Sequence, residues 1–123
     1  MHHRTQPPIF TSHATERRAF ESLVRIKFPE FFEKAPHWRI AVVSGTADSA
    51  VPFMGTERWM ECLPDRKVTA DWHAWKLDHD VAGMVKKWAP NLSLITVKGC
   101  GHTIPYSCPE KGFAFFENYM NAA

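Results

Sequence analysis

The stretch LSLITVKGCGHTIP, residues 92–105, is the most informative part of this chain. Four of its first six residues, Leu92–Val97, are apolar, which is typical of a short strand buried on both faces of a sheet. The glycines on either side of Cys100 allow a loop that approaches the sheet edge closely, and this loop carries His102. A histidine just past a buried strand occupies the position of a hydrolase general base. The stretch therefore predicts a sheet and, at its edge, a candidate base.

A second stretch upstream, RIAVVSGTAD at residues 39–48, has the same form. Arg39–Ser44 is a nearly unbroken apolar run that predicts a second buried strand, and Gly45 permits a tight turn before Asp48. The carboxyl ends of parallel strands share one edge of a sheet, and ligands bind at that edge. We therefore expect Asp48 and His102 to lie together there.

The remaining elements predict an α/β fold of parallel strands with flanking helices and a β-hairpin. Each element is indicated by its apolar spacing and by the proline, glycine or polar residues at its ends. The expected elements are a helix from Thr15 to Lys27 that Pro29 ends or kinks, a helix opened by Pro52 and running to about Leu63, a hairpin of Trp72–Leu77 and Val81–Trp88 joined by Asp78, His79 and Asp80, and a last helix opened by Pro109 with Phe113, Phe116, Tyr119 and Met120 on one face.

Length and composition restrict the class of protein. The chain has 123 residues, of which 45% are hydrophobic, so we expect one ordered domain rather than a disordered segment. Its net charge of +2 is small and its basic residues are scattered, so neither nucleic acid nor a membrane is an expected partner. No apolar run approaches the roughly 20 residues that span a bilayer. Met1–Pro8 also lacks the hydrophobic segment of a signal peptide.

The cysteines include no Cys-x-x-Cys pair and so form no metal-binding pattern. Cys100 and Cys108 are near enough in sequence to meet across a loop, although sequence alone does not establish that geometry. With Cys62 the count is odd, which leaves at least one thiol free or paired with another chain. The polar residues around the hairpin tip lack compact ligand spacing, and a solvated tip explains them, so we expect neither metal nor cofactor. Those residues are Asp71, His73, Asp78, His79 and Asp80.

Asp48 and His102 are candidates for two of the three groups of a catalytic triad. In a triad a hydroxyl nucleophile gives its proton to an imidazole, and a carboxylate orients that imidazole. Each residue also has a plainer interpretation, because an aspartate soon after a glycine is common turn chemistry and histidine is a frequent structural residue. No serine of the chain lies in a Gly-x-Ser-x-Gly elbow. In α/β-hydrolases the chain order is nucleophile, acid, histidine, so we expect the serine before residue 1.

From about Trp38 to Met120 the chain resembles the C-terminal third of the serine carboxypeptidases, an α/β-hydrolase family. An ordered series of segments carries the resemblance, whereas residues 1–37 match the family poorly. The series is Val43–Asp48, similar to the family's Tyr-Ser-Gly-Asp-x-Asp; Val51-Pro52 with the helix containing Trp59 and the pair Trp72 and Trp75; Val81–Gly83, similar to its Val-(Ala/Gly)-Gly hairpin strand; and Leu94–Pro105 followed by Pro109-Glu110, similar to its Gly-Ala-Gly-His-x-x-Pro ending.

Composition and apolar spacing predict an N-terminal arm and helix within residues 1–37, which lie outside the resemblance. For residues 38–123 the resemblance implies the C-terminal part of an α/β-hydrolase domain. It implies that Asp48 is the triad acid, that His102 is the base, and that Thr103 binds substrate on the leaving-group side of the cleft. The implied reaction releases C-terminal residues from peptides through an acyl-enzyme. Its serine is expected from the N-terminal part of the same enzyme, and its localisation would be lysosomal, vacuolar or secreted.

The chain departs from the family's pattern near these residues. Thr103 stands where many members carry methionine, Thr46 replaces the first acidic residue of its segment, and Cys100 replaces alanine and adds a thiol close to the base. Thr103 keeps open a serine carboxypeptidase-like acyltransferase, which transfers acyl groups to an alcohol. A non-catalytic remnant or interaction module is the other alternative, because the chain lacks the nucleophile. Self-association into a homodimer also stays open.

The chain by itself is expected to be inactive, because it lacks the serine that forms an acyl-enzyme. A serine-reactive fluorophosphonate probe should therefore leave it unlabelled, and stoichiometric labelling of one of its serines, measured by mass spectrometry, would contradict this. We also expect an unpaired sheet edge and exposed apolar faces. Monomeric, cooperative unfolding of the bare chain would argue against that expectation.

Overall fold

A four-stranded sheet forms the centre of the part of the chain that the structure, a computed structural model, describes: residues 27–64 and 66–122. One strand pair is parallel and the others are antiparallel. Helices accompany the sheet, so the protein is mixed α/β, as expected. In the spatial order β1-β4-β3-β2, the strands are β1 (Ile40–Gly45), β4 (Leu92–Val97), β3 (Asp80–Trp88) and β2 (Val68–Leu77).

The two parallel strands, β1 and β4, are paired along their full lengths without an offset. Ile40 pairs with Leu92 at one end, and Gly45 pairs with Val97 at the other. The loops that follow the two strands therefore leave the sheet from the same edge, which confirms the expected placement. β4 is buried as predicted, with Leu94 and Val97 completely inaccessible to solvent. β1 is mostly half-buried instead, because no strand of the described residues lies along its other side.

The predicted hairpin is formed by β2 and β3. β2 begins earlier than expected, at Val68 rather than Trp72. The turn consists of Asp78-His79, whose φ angles of 50° and 74° are both positive. Two consecutive positive φ angles are typical of a type I′ turn, whose twist matches that of the strands it joins. Asp80 pairs with Leu77 and belongs to β3, not to the connection.

Helices precede and follow the strands. Pro29 lies within the helical residues 27–34, so of the two predicted outcomes, an end or a kink at Pro29, the helix does not end there. A proline removes one N–H donor and does not by itself stop the turns that follow. The predicted start of that helix at Thr15 lies outside the described residues. Within residues 27–64 and 66–122, every helix is too short or too polar to span a bilayer. The helical segments are α1 (residues 27–34), α2 (Phe53–Glu61), α3 (Ile104–Ser107) and α4 (Pro109–Asn121).

The core lies between α1, α2 and the sheet. Side chains from these elements form one cluster, in which Met60, Leu92 and Leu94 are completely buried. Burial of an apolar side chain of this size contributes about 1.5–3 kcal/mol relative to exposure. This cluster therefore supplies much of the force that holds α2 and β4 together. Its buried members are Phe32, Met60, Leu63, Trp88, Leu92 and Leu94.

An ion network fastens α2 to the sheet. Lys86 Nζ of β3 donates to Glu57 Oε1 at 2.8 Å and to Glu61 Oε1 at 2.7 Å, both on α2. Trp72 Nε1 of β2 donates to the same Glu57 oxygen at 3.0 Å. The Lys86 side chain is only 9% exposed. Hydrogen bonds to Glu57, and then to Glu61, raise the pKa of Lys86. The lysine therefore stays charged in this poorly solvated position.

The apolar face predicted for α4 is largely exposed. Phe113, Phe116 and Met120 are 68%, 58% and 54% exposed, and Tyr119 alone of the four is half-buried. The C-terminal end of α4 is held by a polar contact: Arg39 Nη1 donates a hydrogen bond to the carbonyl oxygen of Ala122 at 2.8 Å. The Arg39 guanidinium also lies 4.8 Å from the centre of the Tyr119 ring. The side of α4 that packs against the rest of the protein is therefore determined by contacts with residues distant in sequence, and not by the apolar periodicity of the helix.

A cavity of about 380 Å³ lies between α4 and the sheet. Trp75, Val85 and Ile95 line it from the sheet, and Phe115 and Tyr119 line it from α4. Neither of the candidate triad residues borders this cavity. It is therefore separate from the strand ends that carry them.

Replacing Lys86 with methionine is expected to lower the free energy of unfolding at neutral pH by about 1–3 kcal/mol, because Glu57 would lose its charged partner. Lys76→Met is the matched control, since Lys76 is exposed on the same hairpin and should change stability by less than about 0.5 kcal/mol. Urea unfolding measures both effects.

The Lys86 contribution should also depend on pH. A lysine whose pKa is raised in the folded state contributes stability that is fully present below its unfolded-state pKa. That stability is lost as the pH rises through the folded-state pKa. The difference between wild type and Lys86→Met should therefore shrink at strongly alkaline pH. An unchanged difference would show that the ion network is not its source.

Candidate active site

The loops after β1 and β4 touch where β1 ends. A Cβ atom on Gly45 would collide with the carbonyl oxygens of Cys100 and Gly101. Gly45 is therefore needed for the close approach of the two loops, whereas its sequence context predicts a role in the turn alone. The positive φ among the described glycines occurs instead at Gly99, with 78°, where the chain turns after β4.

The Asp48 carboxylate is shielded and has three hydrogen-bond partners. Its Oδ1 accepts hydrogen bonds from the backbone N–H groups of Ala50 at 2.9 Å and Val51 at 3.0 Å. Its Oδ2 lies 2.8 Å from His102 Nδ1, and the side chain is only 6% exposed. The Val51 hydrogen bond, then the His102 hydrogen bond, hold the pKa of the Asp48 carboxyl below its usual value. Asp48 is therefore an ionised acceptor in a fixed orientation.

His102 presents its second ring nitrogen outward. Because an ionised carboxylate only accepts hydrogen bonds, Nδ1 carries the proton in the contact with Asp48, and neutral His102 keeps a lone pair on Nε2. The side chain is 65% exposed, and Nε2 hydrogen-bonds to no atom in the described part of the chain. Nε2 can thus accept a proton from a hydroxyl, while Asp48 stabilises the imidazolium that results.

Backbone and side-chain contacts join the two loops around this pair. The Ala47 N–H donates to the Cys100 carbonyl at 2.9 Å, and the Thr46 N–H donates to the Val97 carbonyl at 3.0 Å. The Thr46 hydroxyl accepts from the Gly99 N–H at 2.8 Å. In the sequence pattern Thr46 stands out only as the loss of an acidic residue. Its role between the loops depends on a contact that the local sequence does not signal.

Cys100 is not a free thiol beside the candidate base. It forms a disulfide with Cys108, with the two Cα atoms 5.7 Å apart, and Cys100 is completely buried. The disulfide between Cys100 and Cys108, which the sequence leaves open, is therefore present in the structure. The remaining cysteine, Cys62, is free and exposed.

The hydroxyl groups near the pair have structural partners. Ser107 Oγ accepts from the Gly101 N–H and donates to the Thr103 carbonyl, both at 3.1 Å. Ser44 Oγ lies 3.5 Å from the Val51 carbonyl. No hydroxyl of the described residues hydrogen-bonds to His102. Thr103 is exposed beside the histidine at the start of α3. The nucleophile of a triad is thus not among the partners of His102 within residues 27–64 and 66–122.

The hairpin residues considered for metal binding do not come together. No group of at least three histidine, cysteine, aspartate or glutamate side chains in a metal-binding arrangement occurs among the described residues. His73 Nδ1 instead lies 2.9 Å from the carbonyl oxygen of Asp71 on the same strand.

Comparison with known proteins identifies the family. Residues 11–122 match the family model described as serine carboxypeptidase. The chain belongs to the serine carboxypeptidase family. Its similar relatives include serine carboxypeptidase-like 20 of Arabidopsis thaliana, 36% identical over 86 residues and 70% of this chain. Serine carboxypeptidase-like 15 of the same plant is 37% identical over 84 residues, and serine carboxypeptidase 1 of Hordeum vulgare is 34% identical over 83 residues, each over 68% of this chain.

The similarity covers a small part of each relative. The aligned residues make up 17%, 19% and 16% of the lengths of these three proteins, respectively. This chain therefore matches less than a fifth of each of these relatives, and the resemblance to the family seen in its motifs is confirmed over that portion.

Gly45→Ala is expected to destabilise the protein by about 1–3 kcal/mol, because the added methyl group meets backbone carbonyls that cannot move aside without separating the loops. Gly55→Ala is the matched control. Gly55 lies in α2, and apart from its chain neighbours and the backbone of the helix itself no atom lies within 4 Å of the position that an added methyl group would take, so alanine should be neutral or stabilising by up to about 1 kcal/mol. Equal unfolding free energies for Gly45→Ala and wild type would disprove the close-approach role.

Proposed function

We propose that this chain is the C-terminal part of an α/β-hydrolase domain of a serine-type carboxypeptidase, in which Asp48 and His102 are the acid and base of a Ser-Asp-His triad. The observation that carries the proposal is the 2.8 Å contact between His102 Nδ1 and Asp48 Oδ2. The contact joins loops that follow two level, parallel strands. Membership of the serine carboxypeptidase family supports the class of reaction.

The proposed reaction proceeds through an acyl-enzyme. His102 Nε2 takes the serine proton as the hydroxyl oxygen attacks the carbonyl carbon of the C-terminal peptide bond, and the imidazolium then gives that proton to the leaving amino group. In the second half, His102 takes a proton from water, the water oxygen attacks the ester, and the proton returns to the serine. Asp48 stays ionised throughout, holds the tautomer of His102 and stabilises its charged form.

The serine is proposed to come from the N-terminal part of the same enzyme, and the substrate is a peptide. The aligned portion of the three relatives is no more than 19% of their length, which leaves most of such an enzyme outside this similarity. Two exposed surfaces support the proposal that an N-terminal part packs against this chain. One is the side of β1 that no described strand pairs with, and the other consists of the exposed side chains of Phe113, Phe116 and Met120 on α4.

A lysosomal, vacuolar or secreted location is part of the proposal. The Cys100–Cys108 disulfide supports it, because disulfides persist in oxidising compartments and are rare in the cytosol. The lowered pKa of Asp48 is also compatible with an acidic compartment, since the carboxylate remains ionised at a lower pH than an ordinary aspartate.

Acyl transfer to an alcohol is the second candidate function, and Thr103 favours it. Thr103 is exposed directly beside His102, on the proposed leaving-group side, where many family members carry methionine. A short polar side chain there changes the surface that meets the leaving group or acceptor.

In the intact protein, meaning the enzyme that includes the proposed N-terminal part with its serine, Asp48→Asn is expected to lower kcat on an N-blocked peptide by about 10⁴-fold. The reason is that asparagine does not hold the Nδ1–H tautomer of His102. Release of the free C-terminal amino acid measures the rate. Asp80→Asn is the matched control, since Asp80 is exposed at the hairpin turn and should leave kcat unchanged.

The same assay separates the alternatives. Acyl transfer from a glucose ester to an alcohol, without peptide cleavage, would favour the acyltransferase. If the intact protein shows neither reaction and no fluorophosphonate labelling, the non-catalytic alternative is favoured and the proposal is wrong.

A further inference from the structure

The Cys100–Cys108 disulfide closes a small ring around His102. The two cysteines are 8 positions apart, and the histidine lies between them. A second link crosses the ring, because Ser107 Oγ accepts from the Gly101 N–H and donates to the Thr103 carbonyl, each at 3.1 Å. The backbone immediately before and after His102 is thus tied to the far side of the ring.

Cys100 also connects this ring to Asp48. Its carbonyl oxygen accepts from the N–H of Ala47, the residue before Asp48, at 2.9 Å. Its sulfur is bonded to Cys108, the residue immediately before α4, and its side chain is completely buried. One residue therefore joins the acid loop, the base loop and the last helix.

The histidine itself has few contacts that could hold it. Its side chain is 65% exposed, and the contact with Asp48 is its one side-chain hydrogen bond within the described residues. Glycines flank Cys100 and widen the range of backbone conformations open to the loop. Apart from the Asp48 contact, we expect the position of the imidazole to be set through the backbone. A covalent closure removes many of the alternative loop conformations.

We propose that the Cys100–Cys108 disulfide is a positioning element for His102, which keeps Nδ1 in hydrogen-bonding contact with Asp48 Oδ2. The catalytic consequence rests on the proposed function of this pair, whereas the geometric claim concerns this chain alone. Cys100 and Cys108 act through His102 and touch neither the substrate nor the reacting atoms.

The tautomer of His102 tests the geometric claim. In the intact protein labelled with ¹⁵N-histidine, Nδ1 should carry the proton at a pH where His102 is neutral, with the His102 signals assigned from a His102→Gln variant. In Cys100→Ala/Cys108→Ala the preference for the Nδ1–H form should be lost, and the ring signals should move toward values averaged over both tautomers. Cys62→Ala removes the exposed free thiol, keeps the disulfide and should retain the wild-type signals. A folded double variant that keeps a dominant Nδ1–H form would overturn the proposal.

A reciprocal measurement does not require the double variant to fold. If the disulfide favours the contact between His102 and Asp48, that contact must stabilise the disulfide by the same coupling free energy. In the exchange reaction, dithiothreitol loses two electrons and becomes its cyclic disulfide, while the Cys100–Cys108 bond breaks and both sulfurs become thiols. His102→Gln should make the disulfide easier to reduce, as measured by alkylation and peptide mass after equilibration. An exchange equilibrium identical to that of wild type would reject the coupling.

Kinetics provide the third readout. Removal of the disulfide should lower kcat on a peptide substrate by about 10²-fold, the effect of misplacing a catalytic group by about 1 Å, while KM is preserved. If the protein has no hydrolase activity but the tautomer and exchange results are as expected, the proposed function fails and the positioning role stands. If activity is present and neither readout responds, the positioning role fails.

Discussion

The parallel pairing of β1 with β4 is the constraint on which the candidate site depends. Gly45 lies opposite Val97 at the end of this pair, so both strands release their loops at the same level. A shift by one residue would turn every side chain of a strand to the other face. The complete burial of Leu92 and Leu94 in the core opposes such a shift. Core packing thereby brings together Asp48 and His102, which are 54 positions apart in the chain.

Asp48 and His102 have different roles at this edge of the sheet: Asp48 is a shielded charge, and His102 is an accessible base. Asp48 is nearly inaccessible to solvent, and burial alone would raise the pKa of its carboxyl. Two backbone N–H groups and His102 outweigh that effect, so the pKa is lowered and the charge is kept. His102 remains largely exposed, with one nitrogen held and the other open. An oriented, accessible base beside a shielded charge is the arrangement that proton transfer from a hydroxyl requires.

The elements that local sequence predicts well are those defined by local physics. The apolar run of β4, the hairpin turn and the proline at the start of α4 act over a few residues, and the structure has each of them close to where the sequence indicates, with Asp80 in β3 rather than in the turn. Local patterns were insufficient where contacts outside the segment decide the outcome. The exposed face of α4, the partner of Cys100 and the reason for a glycine at position 45 all depend on how separate segments pack together.

Consecutive residues are enough to predict the α/β class, the two strand ends, the candidate acid and base, and the resemblance to the serine carboxypeptidases, because apolar periodicity and short motifs are local features of the chain. Three features instead depend on the packing of distant segments: Nδ1 of His102 faces Asp48, Thr46 joins the two loops, and Cys100 is bonded to Cys108. Hydrogen bonds and disulfides form only within narrow ranges of distance and angle. Those distances and angles are reached when packed strands hold separate loops together. The sequence of either loop by itself does not specify them.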